Sequence, residues 1–454
     1  MMDLNNIKRV YFIGIGGIGM SAIARFFNEK KIAVSGYDRT ATPLTRQLEE
    51  EGMKIHYTDD IELADKEANL IVYTPAIPAT HSELKWFREN GYEVVKRSDV
   101  LQEITRSLFA ITVAGTHGKT TVSTMIAYIL TDSGYGCNAF LGGISVNYHK
   151  NFWSSEKGVA VIEADEYDRS FLKLSPDIAV LTAMDADHLD IYGTPEAMEE
   201  AFIQYTHNIK PNGTLIAKFG LHRNNELAAP NKLLYSLQND VANAYAENIR
   251  MNNGGYVFDV VLPGKRIENV ELHLGGMHNV ENAIAAISVA QILGIDSDKI
   301  KAAVSTFKGI KRRFEYAVKS DDQVYVDDYA HHPEELRALI NSAKALFPGK
   351  KATVIFQPHL FTRTRDLADG FAESLSLADE VILLPIYPAR ELPIEGVSSE
   401  MIASKIKVPV TIVPKDKVLE YLQTQETPLL ITAGAGDIDQ LKDPIAALLQ
   451  NNKK

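Results

Sequence analysis

The chain has 454 residues, 45% of them hydrophobic and 23% charged, and its formal net charge is −12 at pH 7. This length exceeds what one hydrophobic core supports and predicts about three domains. The acidic balance, without a long basic run, argues against nucleic acid or an anionic membrane as the main partner, although a local glycine loop can still bind a small anion.

Features of the whole chain also bear on where the protein works. Cys137 is the only cysteine, which excludes intramolecular disulfides and cysteine metal clusters and fits a reducing compartment. The N-terminus lacks the pattern of a signal peptide, and no apolar stretch approaches about 18 residues. We therefore expect a cytoplasmic protein with no membrane partner.

The first predicted unit alternates strands with helices, which indicates a parallel sheet with crossover helices. Its apolar runs "RVYFI" (9–13), "IAVSGYD" (32–38) and "ANLIVYTPAIP" (68–78) are typical of buried strands. The segment "IGMSAIARFF" (18–27), which follows the first of them, has helical spacing.

A glycine motif follows the first predicted strand. Gly14, Gly16 and Gly19 have the spacing G-x-G-x-x-G, and Asp38 stands about 20 residues further on, at the end of the second strand. Small residues there let a pyrophosphate approach the backbone at a helix N-terminus. The motif favours a nucleotide site, and an NAD-dependent oxidoreductase is one interpretation of it.

A second phosphate-binding pattern, "AGTHGKTT" (114–121), stands between the apolar run "LFAITV" (108–113) and a helical segment. A full P-loop reads G-x-x-x-x-G-K-[ST], and Val113 occupies the position of its first glycine, so this loop is a shorter relative. Backbone N–H groups would hold phosphate oxygens, Lys119 would neutralise charge, and the Thr120 hydroxyl would reach a bound Mg²⁺. The alternative is an ordinary strand-to-helix turn with a chance lysine.

Acidic residues follow two further apolar runs, in "EADEYD" (163–168) and "DADHLD" (185–190). Both segments are predicted at the carboxyl edge of a sheet, where open α/β folds bind ligands. Glu163 and His188 are therefore candidate Mg²⁺ ligands beside Thr120, although histidine is less usual for this hard cation. The alternative is that these acids cap helices or end solvated loops.

The last third of the chain predicts four strands with helices between them. The strands are "KATVIFQPH" (351–359), "DEVILLPIY" (379–387), "VPVTIV" (408–413) and "PLLITAGAGD" (428–437). Before them, "KRRFE" (311–315) is either a solvated basic linker or the source of an arginine, Arg313, that reaches a transferring phosphate.

Two polar segments of this third unit are candidate substrate contacts. "DDYAHHPEELRALI" (327–340) places paired histidines before a helix opened by proline, where they also commonly serve as caps. "FQPHLFTRTRD" (356–366) ends a strand with Arg363 and Arg365, which either form a surface turn or hold a carboxylate by bidentate hydrogen bonds.

Two phosphate loops and a basic edge in linked units fit one chemistry. ATP would convert a carboxylate into an acyl phosphate, and an amine would then attack it. A dehydrogenase would use only the first motif, and a kinase would use only the second.

Nine segments, in order along essentially the whole chain, resemble the Mur ligase family. They are "GIGGIGM" (14–20), "AGTHGKTT" (114–121), "EADEYD" (163–168), "DADHLD" (185–190), "GGMHNVENAIAA" (275–286), "GIKRRFE" (309–315), "DDYAHHPEE" (327–335), "FQPHLFTRTRD" (356–366) and "YPARE" (387–391). Each alone is a weak signal, whereas their order and spacing are specific.

The resemblance implies an α/β protein of three domains. These are a Rossmann-like UDP-sugar-binding domain over 1–107, a central P-loop-type ATPase domain with a mostly parallel sheet over 108–310, and a Rossmann-like amino-acid-binding domain over 311–454. It implies an ATP- and Mg²⁺-dependent ligase, monomeric or homodimeric, in peptidoglycan precursor synthesis. The reaction would join L-alanine to the lactyl carboxylate of UDP-N-acetylmuramate through an acyl phosphate, releasing ADP and phosphate.

The resemblance also implies roles for individual residues. UDP-sugar contacts would be Gly14, Gly16, Gly17, Gly19, Met20 and Asp38. ATP contacts would be Gly115, Thr116, His117, Gly118, Lys119, Thr120, Thr121, Asn279, Asn282, Arg313 and Asp328. Metal ligands would be Thr120, Glu163 and His188, and amino-acid contacts would be Tyr329, His331 and Arg363. The catalytic set would be Lys119, Glu163, His188, Arg313 and His331, with His188 and His331 both open as the base for the amine.

Two positions depart from the pattern of the family. Leu360 stands where relatives often have arginine, which leaves one anionic contact in doubt, and Arg363 or Arg365 would have to replace it. Tyr37 stands where relatives often have serine, and its ring would either stack on the uracil or pack.

Three alternatives remain open. Within the family, a recycling ligase attaches a tripeptide to the same sugar nucleotide, although "FQPHLFTRTRD" and "YPARE" look more like the single-amino-acid enzyme. Outside it stand an NAD-dependent oxidoreductase and a nucleotide-sugar sensor that has lost catalysis.

Overall fold

The structure, a computed structural model, describes residues 4–185, 189–389 and 391–451, without the side chains of Asn5, Leu189 and Asp190. His188 and Arg390 therefore lie outside the described residues. The chain forms two compact units. The first comprises Met1–Glu247, Asp259–Val270 and Glu281–Phe307, and the second comprises Asn248–Phe258, Glu271–Val280 and Lys308–Lys454. The predicted domain boundaries near 107 and 310 stay a prediction.

Five strands form the N-terminal sheet. The strands are β1 (Arg9–Ile13), β2 (Ala33–Tyr37), β3 (Lys54–His56), β4 (Leu70–Tyr73) and β5 (Val94–Lys96), and the helices are α1 (Ile18–Glu29), α2 (Pro43–Glu50), α3 (Ser82–Glu89) and α4 (Arg97–Ser107). The order is β3-β2-β1-β4-β5, and every pairing is parallel. The central strand β1 is apolar and buried, as expected for a parallel sheet covered on both faces.

A seven-stranded sheet forms the middle of the chain. The strands are β6 (Phe109–Ala114), β7 (Asn138–Phe140), β8 (Phe152–Trp153), β9 (Val159–Glu163), β10 (Ile178–Leu181), β11 (Thr214–Lys218) and β12 (Asn231–Tyr235), and the helices are α5 (Lys119–Asp132), α6 (Leu189–Tyr192) and α7 (Pro195–Thr206). The order is β12-β11-β10-β6-β9-β7-β8. All pairings are parallel except that of β7 with β8.

A small sheet and two helices follow in the chain. The sheet has the order β13 (Tyr245–Asn252), β14 (Gly255–Leu262) and β15 (Lys265–Leu272). The helices are α8 (Met277–Ile292) and α9 (Ser297–Thr306). Helix α8 is apolar along most of its length, which is typical of a helix buried on several sides.

Six strands form the C-terminal sheet. The strands are β16 (Glu315–Lys319), β17 (Val324–Asp328), β18 (Ala352–Phe356), β19 (Glu380–Leu383), β20 (Val410–Ile412) and β21 (Leu429–Ala433). The helices are α10 (Pro333–Leu346), α11 (Phe361–Leu375), α12 (Ser399–Ala403), α13 (Val418–Leu422) and α14 (Lys442–Asn451). The order is β16-β17-β21-β18-β19-β20, and only the β16–β17 pairing is antiparallel.

The predicted α/β class with mostly parallel sheets is confirmed. The prediction of four C-terminal strands is wrong, because β16 and β17 add to the sheet. β16 is a half-exposed edge strand and β17 ends in two aspartates, so neither has the long apolar run that marks the others. Among the described helices, none combines the length and the apolarity needed to cross a bilayer.

Candidate functional site

Three neighbouring parallel strands bring the predicted phosphate loop and one acidic segment to a single sheet edge. β6 pairs with β9 on one side and with β10 on the other. Val113 lies opposite Glu163, and Ala114 lies opposite Leu181. The loop after β6 therefore starts at the level where both neighbours end, at the edge where open α/β sheets bind ligands.

The phosphate loop packs closely against the chain that follows β10. Gly115 and Gly118 have φ values of 130° and 83°, which favour glycine. A Cβ atom on Gly115 would lie 2.3 Å from Thr182 Oγ1 and 2.7 Å from Ala183 N. The Thr182 hydroxyl lies 3.1 Å from Ala114 O and also contacts His117 O, and it can donate to one of them. The loop thus has little room for side chains on this side.

Lys119, the first residue of α5, is held inside the loop. Its Nζ donates to Gly115 O at 2.7 Å and to Glu166 Oε1 at 2.6 Å. Glu166 is fully buried, and burial raises the pKa of its carboxyl while Lys119 partly offsets that shift. The predicted phosphate ligand is therefore paired with an anion that the sequence interpretation passed over, although Glu166 belongs to the same acidic segment as Glu163.

Two of the three predicted magnesium ligands lie in contact. Thr120 Oγ1 donates to Glu163 Oε1 at 3.0 Å, and Gly142 N donates to Glu163 Oε2 at 2.9 Å. A hydroxyl and a carboxylate beside a phosphate loop are oxygen donors that fit Mg²⁺. The third predicted ligand, His188, lies outside the described part of the chain.

Of the other residues predicted for ATP, one group lies around the loop and a second lies on α8. Around the loop, His117 is exposed, whereas Thr116 and Thr121 are buried. Asn279 and Asn282 are one turn apart on α8 and are 5% and 8% exposed. A Cβ atom on Gly118 would lie 2.9 Å from Asn282 Oδ1, so Asn282 borders the loop.

The N-terminal glycine loop lies at the carboxyl end of β1. Gly14 has a φ of 89°, and Gly17 precedes α1 as its N-cap. Gly16 N donates to Asp38 Oδ2 at 2.7 Å, so Asp38 helps to hold the loop in place. Met20 is 2% exposed and belongs to the hydrophobic core.

The ring of Tyr37, the last residue of β2, is buried. It is 7% exposed, and its centroid lies 4.7 Å from that of His81 in an edge-on arrangement. Of the two alternatives for this residue, the structure favours packing over stacking on a nucleobase.

Two adjoining clefts extend from the glycine loop toward Glu163, with volumes of about 210 and 300 Å³. Both are lined by Gly19, Arg97 and Asp165. Arg97 lies 3.4 Å from Asp165, and a Cβ atom on Gly19 would lie 2.4 Å from Arg97 Nη1. Arg97 was not among the predicted site residues, because it follows β5, a three-residue strand without a periodic signal.

In the second unit, the carboxyl ends of β17, β18 and β19 bring aromatic and basic side chains together. The His359 and Tyr387 rings stack with centroids 5.8 Å apart, and Arg363 Nη1 lies 3.3 Å from His359 Nδ1. The ring of Tyr329, 44% exposed, lies 5.1 Å from that of His331.

Burial and nearby cations make this edge suitable for an anion. The pKa of His359 is lowered by burial first, and by Arg363 and His331 in addition. The guanidinium of Arg312 lies 5.0 Å from the Tyr329 ring. An arginine beside aromatic rings can hold a small carboxylate, as an amino acid requires.

Asp328 and Arg313 lie next to this edge. The carboxylate of Asp328 accepts hydrogen bonds from Phe314 N at 2.6 Å and Ala330 N at 2.7 Å. Burial raises the pKa of Asp328 to about 6, although the two N–H groups oppose the shift. Arg313 is exposed.

Leu360 adopts a conformation uncommon for leucine. Its φ is 69°, and its N–H donates to Tyr387 O at 3.0 Å. The strained residue joins the ends of β18 and β19 through its backbone, where relatives were expected to present an arginine side chain.

Family models match three consecutive stretches of the chain. They are the Mur ligase family catalytic domain at residues 9–108, the Mur ligase middle domain at 113–290, and the Mur ligase glutamate ligase domain at 312–436.

Full-length relatives and solved structures are also similar. The UDP-N-acetylmuramate–L-alanine ligase of Phocaeicola vulgatus is 49% identical to this chain over 461 residues, and the match covers 100% of both chains. The enzyme of the same name from Flavobacterium johnsoniae is 47% identical over 456 residues, and the match covers 99% of this chain and 100% of that protein. The UDP-N-acetylmuramate–alanine ligase structure from Thermotoga maritima has a TM-score of 0.82 at 27% identity and covers 99% and 100% of the two chains. A murein peptide ligase from Psychrobacter arcticus has a TM-score of 0.67 at 23% identity, covering 98% and 99%, a likeness of fold alone.

Proposed function

The chain belongs to the Mur ligase family, and from that premise we propose that it joins L-alanine to the lactyl carboxylate of UDP-N-acetylmuramate, with ATP as co-substrate. The observation that carries the proposal is 49% identity, over the whole of both chains, with a UDP-N-acetylmuramate–L-alanine ligase. The adjoining clefts between the glycine loop and Glu163 support it, because a sugar nucleotide held at the loop would extend toward the phosphate site.

In the first step, the lactyl carboxylate attacks the γ-phosphorus of ATP and releases ADP. Backbone N–H groups of the phosphate loop hold the phosphate oxygens. Lys119 gives up its hydrogen bond to Glu166 and binds these oxygens instead. Thr120 and Glu163, with His188 as the family resemblance implies, would hold Mg²⁺, which offsets negative charge on the transferring phosphoryl group.

In the second step, the amine of L-alanine attacks the acyl carbon, and inorganic phosphate leaves. Tyr329, His331 and Arg363 would bind the amino acid. His331 Nδ1 lies 2.9 Å from Tyr329 O, which places its proton on Nδ1 and leaves the Nε2 lone pair to accept one from the amine. His188 stays the other candidate for this base.

Four further residues complete the proposal. Asn279, Asn282 and Asp328 would contact the nucleoside of ATP, and Arg313 the terminal phosphates. We keep the division at 107 and 310, the cytoplasmic location and a monomer or homodimer as expectations of the same proposal.

Phosphate release from ATP with Mg²⁺ tests the function. It is measured with and without UDP-N-acetylmuramate, adding L-alanine or the tripeptide in turn. Turnover that requires the sugar nucleotide and L-alanine supports the proposal. Turnover only with the tripeptide would assign the chain to the recycling ligases, and no turnover with any combination would contradict ligase activity.

A further inference from the structure

Three acid and histidine side chains converge beside the N-terminal sheet. We call Asp59, His81 and Glu83 the Asp59 cluster. Asp59 follows β3, His81 is the N-cap of α3, and Glu83 lies in the first turn of α3. One possible ligand atom from each residue lies within 4.8 Å of the other two.

No hydrogen bond of the imidazole ring explains the burial of His81. It is 7% exposed, and neither ring nitrogen has a hydrogen-bond partner among the described residues. Its Nδ1 lies 3.3 Å from Asp59 Oδ1. Leaving two polar ring atoms unsatisfied in the interior costs free energy, so buried polar groups of this kind call for an explanation. Burial also lowers the pKa of His81, which favours the neutral imidazole that binds metals.

The two carboxylates are held in position by other groups. Ser82 N donates to Asp59 Oδ2 at 3.0 Å, and Glu83 N donates to Asp59 Oδ1 at 3.2 Å. Glu83 Oε2 accepts from Tyr11 OH at 2.6 Å, and Glu83 Oε1 accepts from Asp60 N at 3.1 Å. Such supporting hydrogen bonds orient carboxylate ligands in metal sites. The side chain of Asp59 is 34% exposed, which gives an ion a route from solvent.

Helix capping and packing explain only part of this arrangement. Asp59 caps the first turn of α3, and the His81 ring packs edge-on against Tyr37. Neither role uses the ring nitrogens of His81. His56 Nε2 also lies 3.7 Å from Glu83 Oε1, which adds a second imidazole beside the cluster.

We propose that Asp59, His81 and Glu83 bind a divalent cation of the zinc and cobalt class. One imidazole with two carboxylates is a common ligand set for such ions, whereas an imidazole is less suited to Mg²⁺. Bonds of about 2.0–2.2 Å to each ligand need side-chain shifts of about 1 Å from the present positions.

A Co²⁺ titration of the full-length, chelator-treated protein tests the site. Excess Mg²⁺ is present to fill the site at Thr120 and Glu163, and the pH is 8 because burial raises the pKa of Glu83 to about 7. We expect the protein to bind one equivalent of Co²⁺, with the visible absorption bands typical of Co²⁺ at a low coordination number. Zn²⁺ should raise the midpoint of thermal unfolding.

Variants decide whether the Asp59 cluster is responsible. Asp59→Asn keeps an oxygen to cap α3 but removes the charge, and His81→Ala removes the imidazole; each is expected to weaken Co²⁺ binding at least about tenfold. His222→Ala is the control, because that side chain is 78% exposed. Loss of binding in both variants but not in the control supports the proposal. No bound Co²⁺, or unchanged binding in a folded Asp59→Asn protein, overturns it.

Discussion

In the proposed function, phosphate binding in the first unit depends on Lys119. Its ammonium donates to Glu166, a buried carboxylate, at 2.6 Å. A phosphate bound there would have to replace this partner, so the affinity for ATP would reflect the difference between two charge-assisted hydrogen bonds.

Lys119→Ala is expected to abolish ligation while the protein stays folded. The variant removes the charge that offsets the transferring phosphoryl group, and Glu166, whose pKa burial already raises, takes up a proton instead. Ligation is measured by phosphate release and folding by circular dichroism. Lys85→Ala, at a side chain that is 65% exposed, is the control. A folded variant with the parental rate would contradict the loop assignment.

Glu166→Gln is expected to tighten ATP binding by up to about tenfold, because a neutral amide competes less well than a carboxylate for Lys119. Isothermal titration with ATP measures the change. Glu156→Gln, at an exposed position, should leave the affinity unchanged. Weaker binding in Glu166→Gln would show that Glu166 orients Lys119 rather than competing for it.

Asp327 predicts a pH dependence in the second unit. Its side chain is fully buried, and burial raises its pKa to about 7, against the hydrogen bond from Thr432 and the charge of Arg312. Because the folded-state pKa lies above the unfolded value of about 4, the stabilisation is full below pH 4 and is lost as the pH rises to 7.

Asp327→Asn removes that titration. Relative to the parent, its free energy of unfolding should rise between pH 4 and pH 7 by on the order of 2–4 kcal/mol. Urea unfolding at several pH values measures how the difference in unfolding free energy between variant and parent changes with pH. This change is independent of any constant loss of stability that results from removing the charge beside Arg312. Asp322→Asn, at an exposed position, serves as the control. A pH-independent difference would show that Asp327 is ionised throughout.

At the scale of elements, the turn from β6 to α5 is defined by close contact with the segment after β10. Gly115 has a φ of 130°, and the space for its Cβ atom is occupied by Thr182 and by the backbone of Ala183. The turn therefore excludes side chains both by conformation and by contact.

Gly115→Ala is expected to lower the free energy of unfolding by more than about 2 kcal/mol and to reduce ligation at least about 100-fold. Gly134→Ala is the matched control, since Gly134 also has a positive φ of 79° but its Cβ atom would meet nothing within 4 Å. Gly134→Ala should lower the free energy of unfolding by only about 1 kcal/mol, the cost of a positive φ for alanine, and should leave activity intact. Equal effects of the two substitutions would mean that contact with the β10 segment is unimportant.

At the scale of the molecule, each unit has a hydrophobic core of its own. Leu181 belongs to a core of the first unit, and Leu430 belongs to a core of the second. Chains with separate cores commonly unfold in more than one step.

Leu181→Ala and Leu430→Ala are expected to destabilise different thermal transitions, each by about 2–5 kcal/mol, because both side chains are fully buried. Differential scanning calorimetry of the parent should show two overlapping transitions, each lowered by one variant. A single transition shifted equally by both would contradict independent unfolding.

The sequence by itself determined the order of strand, glycine loop and helix at β1 and β6, and the polar residues that end β9 and β18. Local periodicity carries this information, since buried parallel strands are continuous apolar runs and loops begin where the runs end. Short strands such as β3 and β5 have too few residues for such a signal.

Only the tertiary structure decided which side chains meet. Lys119 and Glu166 are 47 positions apart, and Arg97 reaches Gly19 from another helix. The acids of "EADEYD" look alike in sequence, yet Glu163 lies against Thr120 and Glu166 against Lys119. Burial of Tyr37 against His81 was equally beyond the sequence. Strand order and the packing of helices on the sheet set these pairs, and no local pattern encodes either of them.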